Sequence, residues 1–490
     1  MKNNRNIFRS IIGLAAAASL VACDNDDLYL GSADTDILGS AAGNVVYITD
    51  GNGHGDVSFV EFSGSRTIDL FARSSKPLSG DCTVRFAYDA SVLAQYNASQ
   101  PTEVPAFPQA NVTLSGNGAV TIASGKTASD AMTVTMTAAD GIDPSATYAI
   151  PLKVTASNAT LKDNAEGYII LVQDCTSFPG ADKTYNGEPG MKIIGVLEVN
   201  DQNPLNVLPF TLKGSGKQLF DMVVLFSANI NYDSTTGRVY VSRNENVQAI
   251  LDNREKYIKP LQDRGIKVIL GVMGNHDISG ICTLSPELSK QFAQEVKTIC
   301  DVYELDGVFL DDEWTDYNGA AASPLPGFHE ATYDAASQMA YYIKQAQPDR
   351  LLLIYRYFAL ANGVAINGVQ PGDFVDYVLN DYYDTGNPCP AWPGLRISQA
   401  GTCSWNCSEG NYDKYQWFPG EISAGKYAYN DYVSLPALRE EGYGALMIFN
   451  FYCNPSARLT PKIISALELA SRELYNAELD YDGSWYPKDY

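Results

Sequence analysis

Within residues 303–314, YELDGVFLDDEW, the acidic side chains of Asp306, Asp311, Asp312 and Glu313 flank a short apolar run. Burying an unpaired charge is expensive, so carboxylates gathered on one strand imply partners or chemistry. Alternate residues of a strand share a face, which puts Phe309, Asp311 and Glu313 on one side and Val308, Leu310 and Asp312 on the other. Two carboxylates on one face, one of them at a strand end, suit a general acid and its electrostatic helper. A solvated strand end would carry no chemistry. A calcium loop fits poorly, because the run lacks six to eight spaced oxygen ligands.

The elements that must position this strand are legible from texture. Beyond residue 190, apolar runs alternate with helical stretches: MKIIGVLEVN, DMVVLFSANI, IKVILGVMGN, LDGVFLDDE, LLLIYRY, VDYVLNDYY and YGALMIFNF. These are seven strands, and an eighth is expected around GLRISQA (394–400). About 300 residues of strand–helix repeats predict an α/β fold, a (β/α)8 TIM barrel over 191–490. An open doubly wound sheet is the alternative, but no Gly-rich phosphate loop follows the first strand. In a barrel, Phe309, Asp311 and Glu313 point inward, and the last two reach the C-terminal mouth where barrel chemistry resides.

The preceding residues differ. Short alternating runs rich in Thr, Ser, Val and Ala, such as DCTVRFAYD, GAVTIASG, AMTVTMTA and YAIPLKVTAS, are separated by turn clusters. They predict an all-β sandwich over 23–178, with 179–190 as a Gly/Pro-punctuated linker. Lys2, Arg5 and Arg9 before IIGLAAAASL look like a signal peptide over 1–22, too short to span a bilayer. It ends in LVAC and resembles the bacterial lipobox, which implies lipidation of Cys23. The following DNDD resembles a surface-export signal, implying a location at the outer membrane and cell surface with the lipid as sole membrane contact. An ordinary signal peptide with a chance Cys is the alternative.

Removal of Lys2, Arg5 and Arg9 takes the net charge from −23 to −26. That sign repels phosphate backbones and argues against a nucleic-acid partner. Eight cysteines remain, and CSWNC (403–407) is either a local bridge or two free thiols. His54, His276 and His329 lack Cys or His neighbours at ligand spacing, so neither a metal nor another cofactor is expected. Trp392, Trp405 and Trp417 suit either sugar stacking or packing of a loop-rich insertion.

LDGVFLDDEW resembles the strand-four motif of glycoside hydrolase family 18, and most of all its endoglycosidase H branch. GVLEVN, LFSANINYD, NENVQAILDN, PLQDRGIKV, GNH, VDYVLNDYY and EGYGALMIFN also resemble that branch, in order over about 192–475. The sandwich resembles domains that precede catalytic modules in lipid-anchored surface glycosidases. The resemblance implies endo-β-N-acetylglucosaminidase activity on N-linked glycans, by a retaining mechanism in which the substrate's own acetamido group attacks. It implies Glu313 as general acid, Asp311 as the acetamido-orienting residue and Asp306 as structural. Tyr382 and Asn380 match the strand-six end that holds the acetamido carbonyl, and Trp314 follows the acid as an aromatic substrate contact. Asn275 and His276 match GNH at the mouth, as substrate contacts or as loop structure. Two positions depart from the pattern: Phe309 stands for a middle Asp, and Gly271 for a Ser. Phe309 is expected to fill the space that Gly271 vacates, as a volume-conserving exchange. A non-catalytic surface glycan-binding barrel and a chitinase-like hydrolase are the alternatives.

Overall fold

The computed structural model describes residues 45–51, 53–144, 146–162, 165–380, 392–407 and 435–490; within 402–406 only the backbone is described. The expected signal peptide, Cys23, Tyr382, Cys389 and Trp417 lie outside these residues, as do the side chains of Cys403 and Trp405. Among the described residues no helix is long and apolar enough to cross a membrane.

The chain forms two units. In the first, alternation sets the architecture: MTVTMT (Met132–Thr137) buries Met132, Val134 and Met136 and turns its threonines outward. Ten strands form two five-stranded sheets, largely antiparallel, with Val45–Asp50 running parallel to Thr160–Leu161 and Val57–Phe62 parallel to Gly167–Asp174. Tyr148–Ala156 is central to one sheet, flanked by Cys82–Tyr88 and Gly167–Asp174.

The second unit is a closed barrel. Its parallel strands are β1 (Lys192–Glu198), β2 (Met222–Asp233), β3 (Lys267–Met273), β4 (Gly307–Leu310), β5 (Leu351–Arg356), β6 (Tyr377–Asn380), β7 (Ala400–Asn406) and β8 (Ala445–Phe449). They pair in sequence order, and β8 closes against β1, with Ile194 opposite Met447. Arg238–Ser242 adds an antiparallel edge to β2. The strand expected at 394–400 is displaced: Ile397–Gln399 is a 3-10 turn, and β7 begins at Ala400. The Gln399 amide fixes that turn by donating to the carbonyls of Gly372 and Val375, which leaves pairing to the residues after it.

Alternation divides the strands between two cores. Val196, Val224, Phe226, Ile269, Phe309 and Leu353 fill the barrel interior, while Val308, Leu310, Val268 and Val272 pack outward among the helices. One of those helices, Pro286–Val302, is capped by the Ser285 hydroxyl.

The N-terminal end of the barrel is tied by one construction used three times. The Asp306 N–H donates to the Val268 carbonyl at 2.9 Å, and its Oδ2 accepts the Val268 N–H at 2.9 Å. Asp221 makes the same reciprocal pair with Ile193, and Asp376 with Leu352. Each carboxylate also meets a lysine: Lys267 at Asp306, Lys183 and Lys192 at Asp221, Lys344 at Asp376. Lys183 belongs to the segment expected as linker; its Nζ is buried and also donates to the carbonyls of Ala181 and Gln218.

The carboxylates of these clips satisfy backbone donors at the starts of β1, β3 and β5. Asp306→Ala leaves the Val268 N–H without its acceptor and is expected to cost about 1–3 kcal/mol in chemical denaturation. An unchanged midpoint would show that the clip contributes nothing.

Candidate active site

β4 ends at Leu310, and the chain leaves the barrel mouth through Asp311, Asp312, Glu313 and Trp314. Asp311 is buried, Glu313 half-buried, and the Trp314 side chain 57% exposed. An indole this open beside a carboxyl pair is suited to stacking on a sugar face.

The acid's backbone is held from the neighbouring loop. The Gly274 N–H donates to the Glu313 carbonyl at 3.0 Å, the His276 N–H to the Trp314 carbonyl at 2.5 Å, and the Asp316 N–H to the Asp277 carbonyl at 2.8 Å. These rungs prolong the β3–β4 pairing past the ends of both strands. A Cβ at Gly274 would sit 2.3 Å from the Glu313 carbonyl oxygen and 2.4 Å from Thr315 Oγ1, so only glycine allows this approach. His276 and Trp314 both take left-handed backbone conformations, with φ of 59° and 62°, and their rings lie 5.4 Å apart. Such conformations in non-glycine residues persist only where surrounding contacts hold them. Those contacts come from β2. The Asn229 amide donates to the Gly274 carbonyl at 3.0 Å, and the Asn231 amide and Tyr232 N–H both donate to Asp277 Oδ2. The Asn275 amide donates to Asn231 Oδ1 at 2.9 Å.

Behind the mouth, Asp312 points outward and is fully buried. It lies against the Cys282 thiol, and the Tyr317 hydroxyl donates to its carbonyl at 2.9 Å. Burial pushes its carboxyl up to about 6. Asn380, at the end of β6, is also fully buried, and Arg356 Nη1 donates to its Oδ1 at 3.3 Å.

The expected exchange between Phe309 and Gly271 needs correction. The two are register partners, but the space beside Gly271 is bounded by Phe226 Cδ2 and Val224 Cγ1 at 3.2 Å and the Leu225 carbonyl at 3.0 Å. It is Phe226, from β2, that occupies it. The Phe309 ring instead lies edge-on to Phe226, with centroids 6.3 Å apart, and stacks towards Tyr355 at 6.3 Å. Tyr355 in turn stacks on Tyr357 at 6.0 Å, giving a column of rings from the barrel interior to its mouth. Phe309 is thus the floor beneath Asp311. Trp392 is packing: it is buried, fits against Gly363 and donates to the Leu360 carbonyl at 3.0 Å. Cys407 is a buried free thiol, while the side chain of Cys403, the other half of the CSWNC pair, lies outside the described residues.

Glu198, Asn200, Ser227, Asn229, Asn244, Asn275, His276 and Trp314 surround a cavity of about 250 Å³ on the β1–β3 side of the mouth. Sequence reading singled out Asn275, His276 and Trp314 but missed the rest. The signal for Glu198 was present, as an acidic residue that ends an apolar strand. Among the described residues one grouping has metal-ligand spacing, Glu61, Cys175 and Asp263, but Arg264 and Lys259 already pair with its carboxylates.

Comparison with known proteins decides the family. The chain is 44% identical over 301 residues to endo-β-N-acetylglucosaminidase F1 of Elizabethkingia meningoseptica, spanning 61% of this chain and 83% of that protein. The chain belongs to the endo-β-N-acetylglucosaminidase family. It is a glycoside hydrolase. An endo-β-N-acetylglucosaminidase of Flavobacterium sp. (strain SK1022) is 30% identical over 292 residues, covering 59% of this chain and 82% of that protein. Among solved structures, EndoBT-3987 of Bacteroides thetaiotamicron with a Man5GlcNAc product matches with TM-score 0.53 and 29% identity, over 90% of this chain and 97% of that one. The same enzyme with a Man9GlcNAc2Asn substrate matches at 0.52 and 28%. A family model for an N-terminal domain matches residues 42–161.

Two outcomes test this geometry. Gly274→Ala forces the two mouth loops apart and is expected to lower kcat/KM on the order of 100-fold while the fold survives. Full activity would show that the backbone bridge does not position Glu313. For Asp312, the folded state keeps a proton that an unfolded carboxyl, near 3.8, has released. The stability of the neutral form is complete below about pH 4 and is lost as pH rises through about 6. Asp312→Asn should therefore gain about 3 kcal/mol on wild type between pH 4 and pH 7. A difference independent of pH would contradict a buried neutral carboxyl.

Proposed function

We propose that the chain cleaves the GlcNAc-β-1,4-GlcNAc core of N-linked glycans, with Glu313 as general acid and base and the substrate's acetamido group as nucleophile. The observation that carries this reading is the placement of Asp311 and Glu313. They follow one barrel strand into the mouth, one buried and one half-buried, with the acid's backbone bridged to Gly274.

In the first step the acetamido oxygen attacks the anomeric carbon while Glu313 gives its proton to the leaving oxygen. The glycosidic bond breaks, and an oxazolinium ion forms on the glycan. The Asp311 carboxylate orients the acetamido group and balances the developing positive charge. In the second step Glu313 takes a proton from water, which opens the ring with net retention. Tyr382 and Asn380 would hold the acetamido carbonyl, and Trp314 would stack on the substrate. Asn380 donates from its amide nitrogen in this role, since its oxygen already accepts from Arg356.

The relatives named endo-β-N-acetylglucosaminidase, and the oligomannose ligands printed for EndoBT-3987, support the substrate class. The LVAC sequence at Cys23 supports lipid anchorage at the outer membrane as part of the same proposal.

Incubation of the protein beginning after Cys23 with a high-mannose glycoprotein should release glycan and leave one GlcNAc on the polypeptide, read by mass spectrometry. Glu313→Gln should slow this by roughly 10²–10⁴-fold. Glycan binding without release in both proteins would overturn the catalytic reading.

A further inference from the structure

The cavity beside Trp314 shares that indole with the proposed reaction but is lined by neither Asp311 nor Glu313. Its wall contains four carboxamides, Asn200, Asn229, Asn244 and Asn275, one hydroxyl, Ser227, and one carboxyl, Glu198, with the Trp314 and His276 rings on one side. Among the described residues no lysine or arginine lines it. Neutral donors and acceptors around an aromatic wall, without a fixed cation, match an uncharged polyhydroxylated ring rather than a carboxylate or phosphate.

The carboxamides are themselves constrained. Asn200 Oδ1 accepts from the amides of Asn244 and Asn246 at 3.1 and 3.0 Å, while Asn244 Oδ1 caps the helix Glu245–Asp252. Asn229 and Asn275 are held by Gly274 and Asn231. Glu198 differs: among the described residues its half-buried carboxyl has no side-chain hydrogen-bond partner. Partly buried polar groups are ordinarily satisfied, so a carboxyl left open to a cavity next to an acid catalyst is placed for a ligand.

We propose that Glu198 is a substrate-binding residue, its carboxyl hydrogen-bonding a hydroxyl of a neutral hexopyranose ring seated in the cavity between the β1, β2 and β3 loops. The inference rests on the endoglycosidase reading and adds a sugar subsite to it. Burial first, and the nearby Asp201 charge second, push the Glu198 carboxyl up to about 7. The titratable groups around it are Asp201 on its own loop and His276 from the β3 loop. A seated ring removes more water from Glu198 and favours the protonated carboxyl further, so binding weakens as pH rises above about 7.

Glycan release from a high-mannose glycopeptide tests this with two variants. Glu198→Ala should lower kcat/KM roughly tenfold at pH 6. Glu198→Gln keeps a donor of the same shape, so it should stay near wild type at pH 6. It should also lack the wild-type decline attributable to this group between pH 7 and 8. Inhibition by two probes then locates the ring. Weaker inhibition of the Ala variant by N-acetylglucosaminyl-asparagine assigns the cavity to the leaving half of the substrate. Weaker inhibition by Man5GlcNAc assigns it to the glycan half, and either result supports the subsite. Unchanged kcat/KM and unchanged inhibition by both probes in the Ala variant would overturn it. Should that variant fail to fold, a Gln variant with the wild-type pH profile overturns it equally. A wild-type protein that releases no glycan would instead fail the endoglycosidase reading itself.

Discussion

The arrangement of the mouth depends on a backbone contact, the approach of Gly274 to Glu313. A general acid works only when its carboxyl sits within hydrogen-bond reach of the atom it protonates, and a residue past the end of a strand has lost the ladder that would hold it. Here the ladder is replaced. Three N–H···O=C bonds between the β3 and β4 loops continue the pairing as far as Asp316, and the asparagines of β2 brace the nearer loop. Any side chain at residue 274 would collide with the carbonyl of the acid itself. The left-handed backbones of His276 and Trp314 follow from the same constraint, since the two loops must turn sharply to keep their polar groups facing.

The two ends of the barrel use acidic residues for opposite purposes. At the N-terminal end Asp221, Asp306 and Asp376 are structural: each is paired with a lysine and with a backbone donor of the preceding strand. Charge there is neutralised, and the strands gain a fixed register. At the C-terminal end Asp311, Asp312, Glu313 and Glu198 stand in dry or half-dry surroundings. Burial raises the carboxyls of Asp312, against its hydrogen bonds, and of Glu198, reinforced by the Asp201 charge. One stretch of twelve residues therefore contains both kinds, with Asp306 as a clip and Glu313 as an acid, separated by the length of β4.

Much of this was legible in the sequence because it rests on periodicity. Alternation in VFLDDE correctly divided Phe309 from Val308 and Leu310, and the strand–helix repeat gave the barrel. What was not legible depends on loops meeting across sequence gaps. Nothing in GVMGNH shows that Gly274 must touch residue 313, and nothing in ANINYD shows that Asn231 braces Asp277. The Phe309–Gly271 exchange was misread for a related reason. Register partners on adjacent strands share a level, but the pleat and twist bring Phe226 from the other side into the space that glycine leaves. β7 was misplaced because the apolar residues of GLRISQA serve a turn, and the strand that follows is built of small and polar residues.

Phe309 changes the setting of Asp311 without removing its role. Family members that carry an acidic residue at this level, as the resemblance implies, can share a proton beneath the second Asp. Here a ring column of Phe309, Tyr355 and Tyr357 lies there instead. The Phe309 ring itself cannot accept a proton, so the sharing that the family pattern implies at that position is lost. The most direct measurement is the anomeric configuration of the released glycan, followed by proton NMR in the first minutes of cleavage. Substrate assistance predicts that the β-anomer appears first and then mutarotates. Initial appearance of the α-anomer would mean direct attack by water and would contradict the role assigned to Asp311 and Glu313.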